Sequence, residues 1–118
     1  MSPTHKLLFY IAGPYRGNIR ANIRRAEAYA AECAARQMYY FCPHMNSAFM
    51  SAEAPEAFWL ALDLAFLAHC DVLLLLPGWE DSLGTLAERE FAESVGMAVY
   101  EIDEYFRIFD EGKACPTT

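Results

Sequence analysis

Basic residues are scarce in this chain. Nine Lys plus Arg stand against sixteen Asp plus Glu among 118 residues, for a formal charge of -7. Such a surface repels phosphate backbones, and only Arg20, Arg24 and Arg25 approach a basic patch, which excludes indiscriminate binding of polymeric nucleic acid. Long hydrophobic runs are missing too. The apolar region from Ala57 onward is broken by Asp63, His69 and Asp71, and no stretch nears the ~20 apolar residues of a membrane span. Nor does Met1 lead into the apolar segment of ~7–15 residues that marks a signal peptide, so a cytoplasmic protein is expected. Cysteine is sparse: Cys33, Cys42, Cys70 and Cys115 form no Cys-x-x-Cys pair. That argues against a zinc site and for free thiols in a reducing compartment; neither metal nor cofactor is expected.

What is present suffices for a core. With 55% hydrophobic and 14% aromatic residues, residues 1–118 form one compact domain, of which 110–118 are expected to be a flexible tail. Lys6 to Ile11 reads as a strand buried on both faces, closed by Ala12-Gly13-Pro14. Asn18 is placed to cap a helix in which Ile19, Ile23, Ala26, Ala30 and Cys33 recur at spacings of three and four, ending near Gln37. Met38 to Cys42 is a second strand, with Tyr39 and Tyr40 divided between core and helix packing, and a loop follows from Pro43 to Ala54. Pro55 opens a second helix from Glu56 to His69, apolar on nearly every face, so that a second copy of the chain is expected to cover part of it. Asp71 to Leu76 is the third strand, Leu86 to Val95 the third helix, Met97 to Glu101 the fourth strand and Asp103 to Phe109 a last helix.

This alternation specifies an α/β domain with a mostly parallel sheet of four or five strands between two helical layers, a Rossmann-like or flavodoxin-like arrangement. Right-handed crossovers then bring Ala12 to Gly17, Pro43 to Ser47 and Pro77 to Thr85 to the carboxyl edge of the sheet, where ligands bind. Two acids stand where carbon is expected. Glu88 precedes Phe91, Ala92 and Val95 by three, four and seven positions, which puts it on the inward stripe of its helix. It is either a first-turn partner of the helix dipole or a site carboxylate. Asp63 lies in the middle of the apolar helix and must be paired, hydrogen-bonded or held neutral. Two inward carboxylates at one sheet edge suit glycosidic chemistry, one attacking and one protonating or orienting. Gly13, Gly17 and Gly84 allow tight turns near a ligand. Arg16, with the hydroxyls of Ser82 and Thr85 at a helix start, suits a phosphate, and His44 is a further candidate contact. Cys42 has no His and Asn pattern around it that would make it a nucleophile.

Tyr10-Ile11-Ala12-Gly13-Pro14-Tyr15-Arg16-Gly17, Asp63 eight residues before Asp71, and Ser82-Leu83-Gly84-Thr85-Leu86-Ala87-Glu88 together resemble the nucleoside 2-deoxyribosyltransferase superfamily. Within it the chain is similar, from about Lys6 to Tyr100, to the short deoxyribosyltransferase-like proteins and the 2'-deoxynucleoside 5'-monophosphate N-glycosidases. The resemblance implies that Glu88 is the nucleophile forming a glycosyl-enzyme intermediate, that Asp63 assists it, and that Tyr10 positions sugar and nucleophile. It implies phosphate contacts from Arg16 and Ser82, a nucleoside or nucleotide as substrate, and a homodimer or higher homo-oligomer in which a neighbour completes the site. Transferases of the superfamily bring a C-terminal asparagine to the adjacent site. Tyr100 to Thr118 contains none, and no serine follows Ser94 for the corresponding hydrolase contact. An N-glycosidase is therefore the leading expectation. The alternatives are a nucleoside deoxyribosyltransferase, a phosphoribohydrolase of the cytokinin-activating type suggested by Pro77-Gly78, Gly84-Thr85 and Glu88, and a non-catalytic nucleotide-binding sensor.

Overall fold

The computed structural model describes residues 6–46 and 53–112. Four strands, β1 (Leu8–Ala12), β2 (Tyr39–Phe41), β3 (Val72–Leu75) and β4 (Ala98–Glu101), form one sheet in the order β2-β1-β3-β4. Every pairing is parallel, with Tyr10 beside Phe41 on one side and Leu73 on the other. The helices are α1 (Ile19–Ala35), the single turn α2 (Pro43–Asn46), α3 (Glu56–Leu67), α4 (Leu83–Ser94) and α5 (Ile102–Asp110). The result is the expected three-layer, Rossmann-like α/β fold.

Alternation along the strands divides the core. Phe9, Ile11, Val72, Leu74 and Leu76 face α1 and α5, where they meet Ala26, Ala30, Cys33, Tyr105 and Phe106. Tyr10, Ala12, Leu73 and Leu75 face the other way, onto Leu67 of α3 and Ala92 of α4. Strand order reverses between β1 and β3, since the chain leaves β1 toward β2 and leaves β3 toward β4. A crevice opens at the carboxyl ends of strands at such a switch point. Gly13 lets the chain after β1 approach Leu76 closely, because a Cβ there would meet Leu76 Cβ at 2.6 Å.

Several boundaries differ from expectation. Helix α1 stops at Ala35, and Gln37 follows in the left-handed region with φ 59°. Pro43 opens one helical turn where a loop is expected; residues 47–52 of that loop, Ser47 among them, lie outside the described residues. Tyr39 and Tyr40 are both exposed rather than packed into core and helix, because β2 is an edge strand. Tyr39 instead lies beneath the Lys6 ammonium, 5.2 Å from its ring centre. Helix α4 begins three residues early, capped by Ser82, whose Oγ accepts the Thr85 amide at 3.2 Å. Val95, expected to face inward, is the exposed residue ending that helix. Asp110 is no part of a tail: it is the last residue of α5, and Arg36 donates to both its oxygens at 2.8 and 2.7 Å. Residues 113–118 lie outside the description, as does Cys115.

Candidate active site

The crevice is a cleft of about 390 Å³, within the range of small-ligand sites. All three expected loops reach it: Ala12 to Arg16 after β1, Pro43 and His44 after β2, and Asp81 to Thr85 after β3. Helix α3 adds the remaining wall. Pro77, Gly78 and Glu80 lie instead along a smaller hollow near Glu101 and Asp103.

Glu88 sits at the cleft floor with 6% of its surface exposed. The early start of α4 places it in the second helical turn, away from the first-turn amides, so the helix-dipole reading does not apply. Thr85, one turn before it, and Ala92, one turn after, are buried on the same stripe. Its Oε2 accepts a 2.5 Å hydrogen bond from the Tyr10 hydroxyl, which reaches across from the middle of β1. Burial raises the Glu88 carboxyl to about 8, with the Asp63 charge adding to the rise and the Tyr10 bond opposing it. Tyr10 is fully buried behind Glu88 rather than on the cleft wall, and burial together with the two nearby carboxylates keeps its hydroxyl protonated. It is thus a fixed donor to the carboxylate.

Asp63 faces the cleft from α3, half-buried, and burial raises it to about 6. Its carboxylate makes no hydrogen bond to the described residues, so none of them accounts for an acid in an apolar helix. Asp71, by contrast, is structural: its Oδ2 accepts the Leu8 amide at 2.8 Å, at the opposite end of the sheet.

The remaining candidates divide. Arg16 lines the cleft, but its Nε donates to Glu56 Oε2 at 3.0 Å, with both side chains largely in solvent. Ser82, Gly84 and Thr85 line it from the start of α4, and a Cβ on Gly84 would meet nothing within 4 Å. Gly17 does not line it; its φ of 94° serves the turn into α1. His44 is buried and lies against the cleft, with Nε2 2.7 Å from the Pro14 carbonyl. A carbonyl only accepts, so that nitrogen carries the proton. Burial lowers the imidazole and keeps it neutral, pinning the β1–α1 loop to α2. Burial also pushes the Cys42 thiol up to about 11, which removes it as a nucleophile.

Residues 7–101 match the family model described as Domain of unknown function (DUF4406). The chain belongs to this family. No curated protein matches it. The DUF4406 span contains all four strands and every residue of the Tyr10, Asp63 and Glu88 constellation. The structure of this DUF4406 chain also brings to the cleft residues not singled out in the sequence, Glu56, Trp59 and Leu60, together with Asp81, an acid expected close to the phosphate pocket. Glu56, Trp59, Leu60 and Asp63 fall at positions i, i+3, i+4 and i+7 of α3, so extending Asp63's helical face backward would have found three of them. Among the described residues of this DUF4406 chain, no three His, Cys, Asp or Glu side chains cluster as a metal site, and no helix is long and apolar enough to cross a membrane.

Proposed function

We propose that the chain is an N-glycosidase that cleaves the bond between base and sugar in a (deoxy)nucleoside or its 5'-monophosphate, as the resemblance to the nucleoside 2-deoxyribosyltransferase superfamily implies. The observation that carries this reading is a buried carboxylate, Glu88, oriented by Tyr10 on the floor of a cleft that is also lined by a second carboxyl group, Asp63, which makes no hydrogen bond to the described residues.

Asp63, raised to about 6, and Glu88, raised to about 8, hold one proton between them across neutral pH, and it resides mainly on Glu88. Glycosidic cleavage uses that state with one group ionised and the other protonated. In the minor form that carries the proton on Asp63 instead, a Glu88 oxygen attacks the anomeric carbon, the C–N bond breaks, and its electron pair leaves with the base as Asp63 protonates it. A glycosyl ester on Glu88 results. Water then attacks the same carbon, Asp63 takes its proton, and Glu88 departs as carboxylate, leaving the sugar with retained configuration. Trp59 and Leu60 supply an apolar wall suited to a planar base.

Further support comes for a homo-oligomer, since α3 exposes Phe58 and Phe66 and buries only Leu67 fully. Free Cys33, Cys42 and Cys70 fit a reducing, cytoplasmic setting. The test is incubation of the pure protein with a panel of deoxynucleosides and their monophosphates, followed by chromatography for free base. Release is expected to fall by about 10³-fold or more in Glu88→Ala. Release that persists in Glu88→Ala removes the mechanism, and none from any substrate removes the activity.

A further inference from the structure

Arg16 and Glu56 are 40 positions apart and meet across the cleft, the first from the loop after β1 and the second from the first turn of α3. Among the described residues lining the cleft, Arg16 is the only Lys or Arg, whereas four carboxyl groups line it: Glu56, Asp63, Asp81 and Glu88. The neighbouring imidazole adds no cation, because burial holds His44 neutral. Arg25, at the same edge, does not line the cleft and donates to the Pro77 carbonyl at 3.1 Å, whereas the start of α4 is a further electropositive feature of the lining. Ser82 already takes the Thr85 amide there, and Asp81 stands directly before the cap. A phosphate entering this cleft would meet mostly carboxylates and a guanidinium that already has a counter-charge.

We propose that Glu56 sets the charge specificity of the cleft: by holding the Arg16 guanidinium it withdraws that cation from an incoming anion, so the cleft takes a neutral nucleoside in preference to its 5'-monophosphate. This rests on the glycosidase reading and decides between the two substrate classes that reading leaves together. The pair is well suited to such a role. With side chains 70% and 74% exposed, it contributes little to the fold, so its loss changes the field at the cleft without unfolding the chain. A dianion that did compete for Arg16 would have to displace Glu56 and then lie beside the released carboxylate.

The test compares kcat/KM for 2'-deoxynucleosides and the matching 5'-monophosphates in wild type, Glu56→Gln and the double variant Glu56→Gln/Arg16→Gln, at low salt. Wild type is expected to favour the nucleoside by about tenfold. Glu56→Gln is expected to raise the monophosphate-to-nucleoside ratio about fivefold, and adding Arg16→Gln to return it. A wild type that prefers the monophosphate overturns the proposal. So does a ratio that Glu56→Gln leaves unmoved, or a gain that survives loss of Arg16. If no base is released from either substrate, the glycosidase reading falls, and calorimetric affinities for the same two ligands across the same three proteins decide the role of Glu56 by the same ratio. Absence of binding by either ligand overturns both.

Discussion

On the α1/α5 side of the sheet, Phe9, Ile11, Val72, Leu74 and Leu76 pack in a mainly apolar core, and the charged groups described there lie at the rim. There they act as ties: the Tyr29 hydroxyl donates to Asp103 at 2.9 Å, and Arg36 clamps Asp110 while lying over the Phe106 ring. On the α3/α4 side the same strands present Tyr10, and the helices return Glu88 and Asp63. This side is also less well covered, since of the α3 residues only Leu67 is fully buried. One face is therefore closed and apolar while the other is open and titratable, although both arise from the same alternation along β1 and β3. A single parallel sheet can keep its stability on one side and hold polar, titratable groups on the other, because adjacent residues of a strand never share a face.

Deleting carbon from the closed face is expected to have the largest effect on stability. Leu74→Ala should cost about 3 kcal/mol in denaturant unfolding, and a loss under about 1 kcal/mol would mean that this face is not the packed one. The open face should respond to protons instead. Glu88 rises from 4.5 to about 8 and Asp63 from 3.8 to about 6 on folding. Between those limits the native chain holds protons that the unfolded chain has released, so stability is greatest below about 4 and is lost as pH rises to about 8. The melting temperature should fall across that window and level off above it, and Glu88→Gln should remove most of the slope. A wild-type slope of opposite sign would overturn the burial of Glu88. Base release should be bell-shaped, rising through about 6 and falling through about 8, the span in which the pair holds one proton.

The sequence displays the closed face more fully than the open one. Strand order and helix order follow from apolar runs separated by turn residues, and the inward position of Glu88 follows from its spacing to Phe91 and Ala92. The start of α4 is not legible, because Leu83-Gly84-Thr85 after a Pro-Gly turn reads as loop until the Ser82 cap is seen. That three-residue difference removes the dipole-partner reading of Glu88 and leaves a buried carboxylate on the inward stripe. The Tyr10 bond to Glu88 spans 78 positions and the Arg16 pair with Glu56 spans 40; spacing rules for helices and strands do not reach contacts that only the sheet topology creates. Tyr39 and Tyr40 fail for a related reason, since nothing local says that β2 is an edge.

Tyr10 sharpens the comparison at the point where strand and site meet. Among the described residues, its hydrogen bond is the one influence on Glu88 that favours the ionised form. Removing the hydroxyl in Tyr10→Phe keeps the ring against Phe41, 5.9 Å between centres, but lets the carboxyl rise further. The alkaline limb of the pH–rate profile should move upward and the rate at neutral pH should fall about tenfold, in proportion to a lost charge-assisted hydrogen bond. A merely structural Tyr10 would lower stability and leave the limb in place.

The smallest effect on the single chain is expected at the outer surface of the open face. Phe58 and Phe66 lie eight positions apart on α3, with Leu62 midway, so they share one side of the helix. The two phenylalanines are 49% and 42% exposed. Because Phe58 is already half in water and its aromatic neighbour Trp59 is on the same helix, Phe58→Ser should change the unfolding free energy of a lone chain by no more than about 1 kcal/mol. If a second copy covers this stripe, the same change should lower the mass seen by sedimentation and make base release dependent on protein concentration. An unchanged mass, from a wild type that is itself a monomer, would leave the open face bare and require the cleft to function within one chain.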